Sequence, residues 1–214
     1  SPADQAYKIG IWIRDSIQGI GTVTFYDAET NHFAALGHGV YDVDTGELMS
    51  IKQGNITASE LTEIVKGEKG EPGQLIGRIE SEQILGEIEK NTSIGIYGTA
   101  EEAAFAGESY PIALQSEIKE GPAQILSSIT GGEPVAYDVE IEQVMYYGKD
   151  QNKGMVIHVT DPALLAQTGG IVQGMSGSPI LQDGKIVGAV THVFVQDPTR
   201  GYGIFIENML EAIR

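Results

Sequence analysis

Short apolar segments with a two-residue period, separated by glycines, recur along the chain and constrain its fold more than any other feature. In the clearest segment, residues 135–144, apolar side chains occupy every second position from Val135 to Ile141. Such alternation predicts β-strands with one buried face. The 28 glycines are spread over the whole chain, which favours tight turns over long helices. The sequence therefore predicts a mainly antiparallel β protein of roughly a dozen strands, as in barrels or sandwiches.

Other segments refine this prediction. Residues 9–13 and 22–26 alternate in the same way, and we expect strands there. Between residues 59 and 88, short apolar pieces are separated by glycines and one proline, which predict turns; these residues are Gly67, Gly70, Pro72, Gly73 and Gly77. Two helices are expected, a short one over residues 163–167 and a terminal one over residues 207–214.

Composition excludes several classes of function. The 30 acidic and 13 basic side chains give a formal net charge of -17, which repels phosphate backbones and argues against nucleic-acid binding. The chain has no Cys, so disulfides and thiolate chemistry are excluded. We expect no metal and no cofactor, because no set of ligands with metal-site spacing is found. No apolar stretch reaches the ~20 residues of a membrane span, so no direct membrane insertion is expected of this sequence.

The segment Gly174-Met175-Ser176-Gly177-Ser178-Pro179 can carry acyl-transfer chemistry. Small neighbours keep a serine hydroxyl accessible on a sharp turn, as a nucleophile requires. Gly174 lets the backbone turn so that its own N–H and that of Ser176 point to one spot, an oxyanion hole. On these residues alone, an ordinary Gly/Ser loop between two strands is an equally good interpretation.

The residues that follow favour the catalytic interpretation. Residues 174–210 resemble the C-terminal part of chymotrypsin-like serine peptidases: the serine loop, a hairpin turning at Asp183-Gly184, a strand, and a closing helix. The resemblance implies a substrate-binding strand at Thr191, His192 and Val193, along which an extended peptide adds a strand.

The chain has four histidines from which a general base can be chosen. His38 lies between two glycines after an apolar strand, which leaves its ring open to a cleft, and it is the predicted base. His32 is expected to be solvated in a polar turn, and His158 to lie in a strand. His192 follows the serine by 16 residues, so it could line the cleft.

The acid that orients the base is predicted to be Asp161, which follows a strand in Thr160-Asp161-Pro162. The competing interpretation is that Asp161 only caps the helix that begins at Pro162. Asp42, Asp44 and Asp138 are the alternative acids.

The complete sequence resembles the SpoIVB peptidases, the signalling serine peptidases of endospore formers. The resemblance rests on motifs that occur in the family's order, with the block from Gly169 to Asp197 as the most specific; these are Leu36-Gly37-His38-Gly39, Gly95-Ile96-Tyr97-Gly98-Thr99, Lys119-Glu120-Gly121-Pro122-Ala123, Thr160-Asp161-Pro162, Gly169 to Pro179, and Thr191-His192-Val193-Phe194-Val195. It implies a triad of Ser176, His38 and Asp161, with an oxyanion hole at Gly174 and Ser176.

The resemblance also implies a fold, a place and a substrate. The fold is a chymotrypsin-like double β-barrel with a short C-terminal helix, with two six-stranded subdomains over approximately residues 1–115 and 116–214. Family members act outside the cytoplasm, between the two membranes around the forespore. There they cleave a regulatory subunit of a membrane-embedded metalloprotease complex, and they cleave themselves. Members also carry a membrane anchor and a PDZ domain, so we expect this sequence to be the peptidase domain alone.

Two departures from the wider chymotrypsin pattern and two rival classes remain. Asp161 comes late, only 15 residues before Ser176, whereas chymotrypsin relatives have the acid in the first barrel, so its predicted role depends mainly on the resemblance to the SpoIVB peptidases. Met175 stands where chymotrypsin relatives have an acidic residue that pairs with a freed N-terminus, so that activation switch is expected to be absent. The rivals are a catalytically silent peptide-binding module on a peptidase fold and a purely structural β-barrel. A homo-oligomer is compatible with the sequence.

Overall fold

The computed structural model describes residues 18–101, 104–105 and 108–213. These residues form strands β1 (Val23–Asp27), β2 (His32–Ala35), β3 (Gly54–Val65), β4 (Gln74–Thr92), β5 (Gly95–Ala100), β6 (Gly121–Ser127), β7 (Val135–Val144), β8 (Met155–Val159), β9 (Pro179–Gln182), β10 (Lys185–Phe194) and β11 (Asp197–Phe205), with helices α1 (Pro162–Thr168) and α2 (Ile206–Ile213). The predicted mainly β, chymotrypsin-like class is confirmed. The strand predicted at residues 9–13 lies outside the described residues.

The second half of the chain forms a closed antiparallel barrel in the order β10-β11-β8-β7-β6-β9. Its interior is filled by side chains from alternate positions, as the two-residue period predicts. In β7 these are Tyr137, Val139 and Ile141, all buried. Val135, at the start of the same strand, is instead 42% exposed, because it lies beyond the packed interior.

The first half forms a five-stranded antiparallel sheet in the order β1-β2-β5-β4-β3. Its inner face is built on Phe33, Ala35 and Ile96. Within the described residues this sheet is open, so the structure has one closed barrel and one curled sheet where two six-stranded barrels were expected. Its strands end at Ala100, and those of the barrel begin at Gly121. The subdomain boundary near residue 115 stays a prediction.

Strands β3 and β4 form one long hairpin, which corrects the sequence-based turn at Gly77. The tip at residues 66–73 is a turn as predicted, but Gly77 and Gly86 lie inside β4. A Cβ at Gly77 would lie 2.8 Å from the Glu60 carbonyl oxygen, and one at Gly86 would lie 2.6 Å from that of Thr99. These glycines therefore let neighbouring strands approach closely and do not end a strand.

Each helix follows a strand of the barrel: α1 follows β8, and α2 follows β11. Helix α1 begins after Asp161 and ends at Gly169, whose φ of 74° is a left-handed C-cap. Helix α2 buries Met209 in a cluster with Tyr97 of the sheet and Ile204 of the barrel. It thus joins the two halves through shared apolar burial. No helix in the described ranges has the length and apolar character needed to cross a bilayer.

Candidate active site

The loop that carries Ser176 is fixed between the sheet and the barrel by Thr22, which lies just before β1. The N–H of Thr22 donates to the Ser176 carbonyl at 2.9 Å, and its hydroxyl donates to the Gly174 carbonyl at 3.2 Å. Gly177 has φ +94°, and a Cβ there would lie only 2.1 Å from the Thr22 carbonyl oxygen. The loop therefore needs glycine at this position both for its conformation and for the close approach of the sheet.

The hydroxyl of Ser176 rests against strand β10. It donates to the Thr191 carbonyl at 2.9 Å, and the N–H of Gly177 donates to the Val190 carbonyl at 2.8 Å. The Ser176 side chain is half-buried, while the preceding Met175 is fully buried in the barrel core. An apolar side chain at 175 thus anchors the loop by burial.

Two N–H groups of this loop are available to an oxyanion. Among the described residues, neither the N–H of Gly174 nor that of Ser176 has an acceptor, whereas the intervening Met175 N–H donates to Val172. Gly174 has φ +101° and packs on Leu75 of β4. Since Thr22 holds the carbonyls of Gly174 and Ser176, the adjacent peptide planes are restrained before substrate binds, as electrostatic stabilisation requires.

His38 reaches this loop through a sharp turn after β2. Leu36 and Gly37 have φ +71° and +68°, two consecutive left-handed residues that reverse the chain. A Cβ at Gly37 would lie 2.9 Å from Cγ2 of Thr191. The strand end carrying His38 therefore packs directly on the residue that accepts the Ser176 hydroxyl bond.

The ring of His38 is oriented by a backbone carbonyl. Its Nδ1 lies 2.9 Å from the Gly39 carbonyl oxygen. A carbonyl only accepts hydrogen bonds, so Nδ1 must be the protonated nitrogen. The lone pair of a neutral His38 is then on Nε2, which suits a general base.

His192 is the second histidine at the site. It lies in an irregularity of the β10–β11 pairing, between Val190↔Gly203 and Val193↔Gly201, and such bulges re-aim side chains. The His192 and His38 ring centroids are 5.0 Å apart. Partial burial lowers the pKa of His192, and a charge on His38 lowers it further.

A groove of about 630 Å³ opens beside His192. Its lining includes Tyr41, Ser93, Asp150, Lys153 and Tyr202. The Lys153 ammonium pairs with Asp150 at 2.8 Å, which gives the groove polar walls of both charges. Strand β10 pairs with β9 only as far as Ala189, so residues 191–194 keep one side that β9 does not cover.

Asp161 lies at the first turn of α1. Its Oδ1 accepts hydrogen bonds from the N–H groups of Ala163 and Leu164 at 2.8 and 3.0 Å. Its Oδ2 accepts from the Asp138 N–H at 3.3 Å. These backbone hydrogen bonds hold the pKa of Asp161 below its usual range.

The structure therefore places Ser176 and the segment that carries His38 against the same residue of β10, Thr191, and it places Asp161 as a helix cap. No hydrogen bond or ion pair found among the described residues joins Asp161 to His38. Of the competing acids, Asp138 accepts a hydrogen bond from Gln124, and Asp42 accepts bonds from its own turn. The part of Asp161 as third member of a triad stays a prediction.

The remaining histidines have other surroundings. His158 lies in β8, as expected, with Nδ1 3.3 Å from a carboxylate oxygen of Glu142. His32 is half-buried at the start of β2 and is not in a solvated turn. No group of three potential metal ligands occurs within the described residues. The sequence analysis did not identify Thr22 as a residue that supports the site. A threonine beside a predicted strand is common, so no local pattern indicates its contacts with the Ser176 loop.

A serine hydroxyl and an imidazole at the junction of a closed antiparallel barrel and a second β-sheet define a chymotrypsin-like serine peptidase. The family model described as SpoIVB peptidase S55 matches residues 5–210. The chain belongs to this family, and it is a serine peptidase.

Solved structures give more distant likenesses. One similar structure is the inactive form of Rv3671c from M. tuberculosis, solved as a serine-to-alanine mutant. It superposes on this chain with a TM-score of 0.43 and 14% sequence identity, and the match covers 66% of this chain and 70% of that one. The Rv3671c protease in its inactive form has a TM-score of 0.40 and 15% identity, covering 66% and 72%. No curated protein matches the sequence.

Proposed function

We propose that this chain is a serine endopeptidase which cleaves a regulatory protein, and itself, in a sporulation signalling cascade. One observation carries the reaction: Ser176 donates its hydroxyl bond to the Thr191 carbonyl at 2.9 Å, and the ring of the next residue, His192, lies 5.0 Å from that of His38. The proposed nucleophile and the proposed base thus each lie beside the segment Thr191–His192 of β10. Membership of the SpoIVB peptidase family supports the setting.

The reaction follows from these groups. Ser176 Oγ attacks the substrate carbonyl carbon while Nε2 of His38 accepts its proton. The N–H groups of Gly174 and Ser176 stabilise the negative charge on the substrate oxygen. His38 then returns the proton to the leaving amine, and water releases the acyl group by the reverse steps. The substrate lies extended along Thr191, His192 and Val193.

The resting position of the hydroxyl adds one step. While the Ser176 proton is directed at the Thr191 carbonyl, it cannot pass to His38, so the hydroxyl must turn before attack. This observation is the one that favours the second candidate, a silent module that binds peptides without cutting them.

A fluorophosphonate probe tests the nucleophile. We expect the wild-type chain to be labelled and Ser176→Ala to remain unlabelled. Ser178→Ala is the matched control, since Ser178 is a fully buried serine two residues further on, and it should be labelled like the wild type. Equal labelling of Ser176→Ala would refute the assignment of the nucleophile, and an unlabelled wild type would support the silent module.

The proposed substrate is a regulatory subunit of a membrane-embedded metalloprotease complex, met outside the cytoplasm between the membranes around the forespore. Incubation with that purified subunit should give defined fragments by mass spectrometry, and Ser176→Ala should give none. Self-cleavage is tested by mixing the active chain with an isotope-labelled Ser176→Ala chain, whose labelled fragments would demonstrate cutting between molecules. Absence of fragments in both mixtures would refute this choice of substrates.

A further inference from the structure

Two histidine rings from different halves of the molecule meet beside the groove. His38 follows the second strand of the sheet, and His192 lies in β10 of the barrel. Their ring centroids are 5.0 Å apart, and the ring planes are inclined by 38°. Imidazole is the commonest protein ligand of metal ions. The pair is therefore a candidate for holding one ion between the two rings.

The separation of the rings suits a zinc ion. Zinc binds an imidazole nitrogen at about 2.0–2.1 Å in tetrahedral geometry. The centroid of a bound ring then lies about 3.2 Å from the metal, and two rings that share the ion have centroids about 5.2 Å apart. The 5.0 Å between His38 and His192 matches this value, so the two rings already have the separation that a shared zinc ion requires.

His38 has the free nitrogen that a metal needs. Its Nδ1 donates to the Gly39 carbonyl at 2.9 Å, which leaves the lone pair on Nε2. Histidines that bind metals almost always donate their other ring N–H to a carbonyl, a carboxylate or water, and this bond fixes the tautomer and makes the ligand more basic. A triad carboxylate that accepted the same Nδ1 proton would leave Nε2 equally free.

His192 is mainly neutral at pH 7, which is the form that binds metal. Burial is the largest cause of its lowered pKa, and the charges of His38 and Lys153 lower it further, against an opposing effect of Asp150. Lys153 and Asp150 pair with each other at 2.8 Å, so their charges offset each other beside the groove. The formal net charge of -17 favours the approach of a cation.

The backbone on both sides of the pair is held in place. The N–H of Gly39 donates to the Ser93 carbonyl at 3.2 Å. On the barrel side, the hydroxyl of Thr191 donates to the carbonyls of Asn152 and Tyr202 at 2.8 and 3.2 Å. Ligands that are already held in position lose little conformational freedom when an ion binds between them.

We propose that His38 and His192 together bind a zinc ion, which reversibly inhibits the peptidase. The ion occupies the Nε2 lone pair with which His38 would accept the Ser176 proton. Two protein ligands leave the remaining positions to water, so the ion is exchangeable and is not a resident cofactor. Residues 38 and 192 are too far apart along the chain for a spacing motif to indicate such a site. The inhibition rests on the proposed function, whereas the metal site does not depend on it.

A zinc titration followed by ¹H NMR tests the site in the wild-type chain, whose four histidines report separately. Zinc chloride alone should shift the ring protons of His38 and His192 over the same range of concentration, while those of His32 and His158 keep their positions. Chelation by EDTA should restore the original spectrum. Shifts in only one of the two proposed ligands, or in neither, would overturn the proposal.

Removal of either ligand should weaken zinc binding measured by calorimetry. Loss of an outer-shell partner of a metal ligand already costs about 10–100-fold in affinity, so His192→Ala and His38→Ala should each raise the dissociation constant about tenfold or more. His158→Gln is the matched control, since it removes a histidine that lies in β8 beside Glu142, and it should bind zinc as the wild type does. Wild-type affinity in His192→Ala, with a folded circular dichroism spectrum, would contradict the shared site.

Fluorophosphonate labelling measures the inhibition. A general base contributes roughly 10²–10⁴-fold to rate, so saturating zinc should slow the labelling of the wild type and of His158→Gln about tenfold or more. Each variant is scored by the ratio of its rates with and without zinc, and His192→Ala should keep a ratio near one at the same concentration. Equal slowing in His192→Ala, or no slowing of the wild type at saturation, would refute zinc inhibition through this pair. A wild type that is unlabelled without zinc would refute the proposed function, while the NMR titration still decides the metal site.

Discussion

A methyl group at Gly177 should lower the stability of the fold at the point where the loop that carries Ser176 meets the first sheet. Gly177 has φ +94°, and a left-handed conformation costs a non-glycine residue roughly 1–2 kcal/mol. The new Cβ would also lie 2.1 Å from the Thr22 carbonyl oxygen and 2.6 Å from the Leu36 nitrogen. Both are backbone atoms, so the overlap is relieved only by moving the loop or the sheet, at a cost of about 1–3 kcal/mol.

The expected loss of unfolding free energy for Gly177→Ala is therefore about 2–5 kcal/mol, which corresponds to about 4–20 °C in melting temperature for a chain of this length. Gly184→Ala is the matched control. Gly184 has φ +75°, but a methyl group there would have no atom within 4 Å, so it bears the conformational cost alone, about 2–8 °C.

Thermal and urea unfolding of the two variants measure the difference. Gly177→Ala should also react more slowly with a fluorophosphonate probe, since Thr22 holds the Ser176 and Gly174 carbonyls. A Gly177→Ala chain as stable as Gly184→Ala, with wild-type labelling, would refute the tight contact between loop and sheet.

Three further predictions follow from the site and its supports. In ¹H NMR titrations His192 should have a midpoint below the ordinary 6.5, and His38→Ala should raise that midpoint. Because the folded pKa of His192 is lowered, the folded state loses stability as pH falls below 6.5. An unchanged His192 midpoint in His38→Ala would contradict the electrostatic coupling between the two histidines. Glu142→Gln should lower the free energy of unfolding measured in urea at pH 7, since the hydrogen bonds from Arg200 lower the Glu142 pKa from 4.5. The stability that Glu142 contributes is complete above pH 4.5 and is lost as pH falls through its folded pKa. A loss of stability in Glu142→Gln that persisted at pH 2 would argue against this explanation. Thr168→Val should lower the free energy of unfolding by about 1–3 kcal/mol, because it removes a buried hydroxyl from the Leu164 and Gly170 carbonyls. A melting temperature equal to that of the wild type would show that Thr168 does not brace the loop.

Local sequence rules identified most elements because their signals act over a few residues. The hairpin at Asp183-Gly184 has φ +51° and +75° at its two turn residues, as the Asp-Gly pair predicts. Helix α1 begins after Asp161 and ends before Gly169, within one residue of the predicted span at each end. The alternation in β7 placed Tyr137, Val139 and Ile141 in the core.

Long-range contacts defeated the same rules at Gly77. This glycine was predicted to mark a turn, yet it lies within β4. A side chain is excluded there because the backbone of β3 approaches closely. Such a constraint is set by residues that are distant along the chain, for example Glu60 beside Gly77, and no local pattern encodes it.

The sequence by itself determined the β class, and it singled out the Gly/Ser loop that carries Ser176 and the histidine between two glycines, because each depends on residue type and on near neighbours along the chain. Only the tertiary structure decided which partners these groups have. Nδ1 of His38 bonds to Gly39, the Ser176 hydroxyl bonds to Thr191, and Asp161 caps α1. The physical reason is that hydrogen bonds have a reach of about 3 Å in space, whereas Ser176 and the segment that carries His38 both reach Thr191 only after a sheet and a barrel have packed against each other.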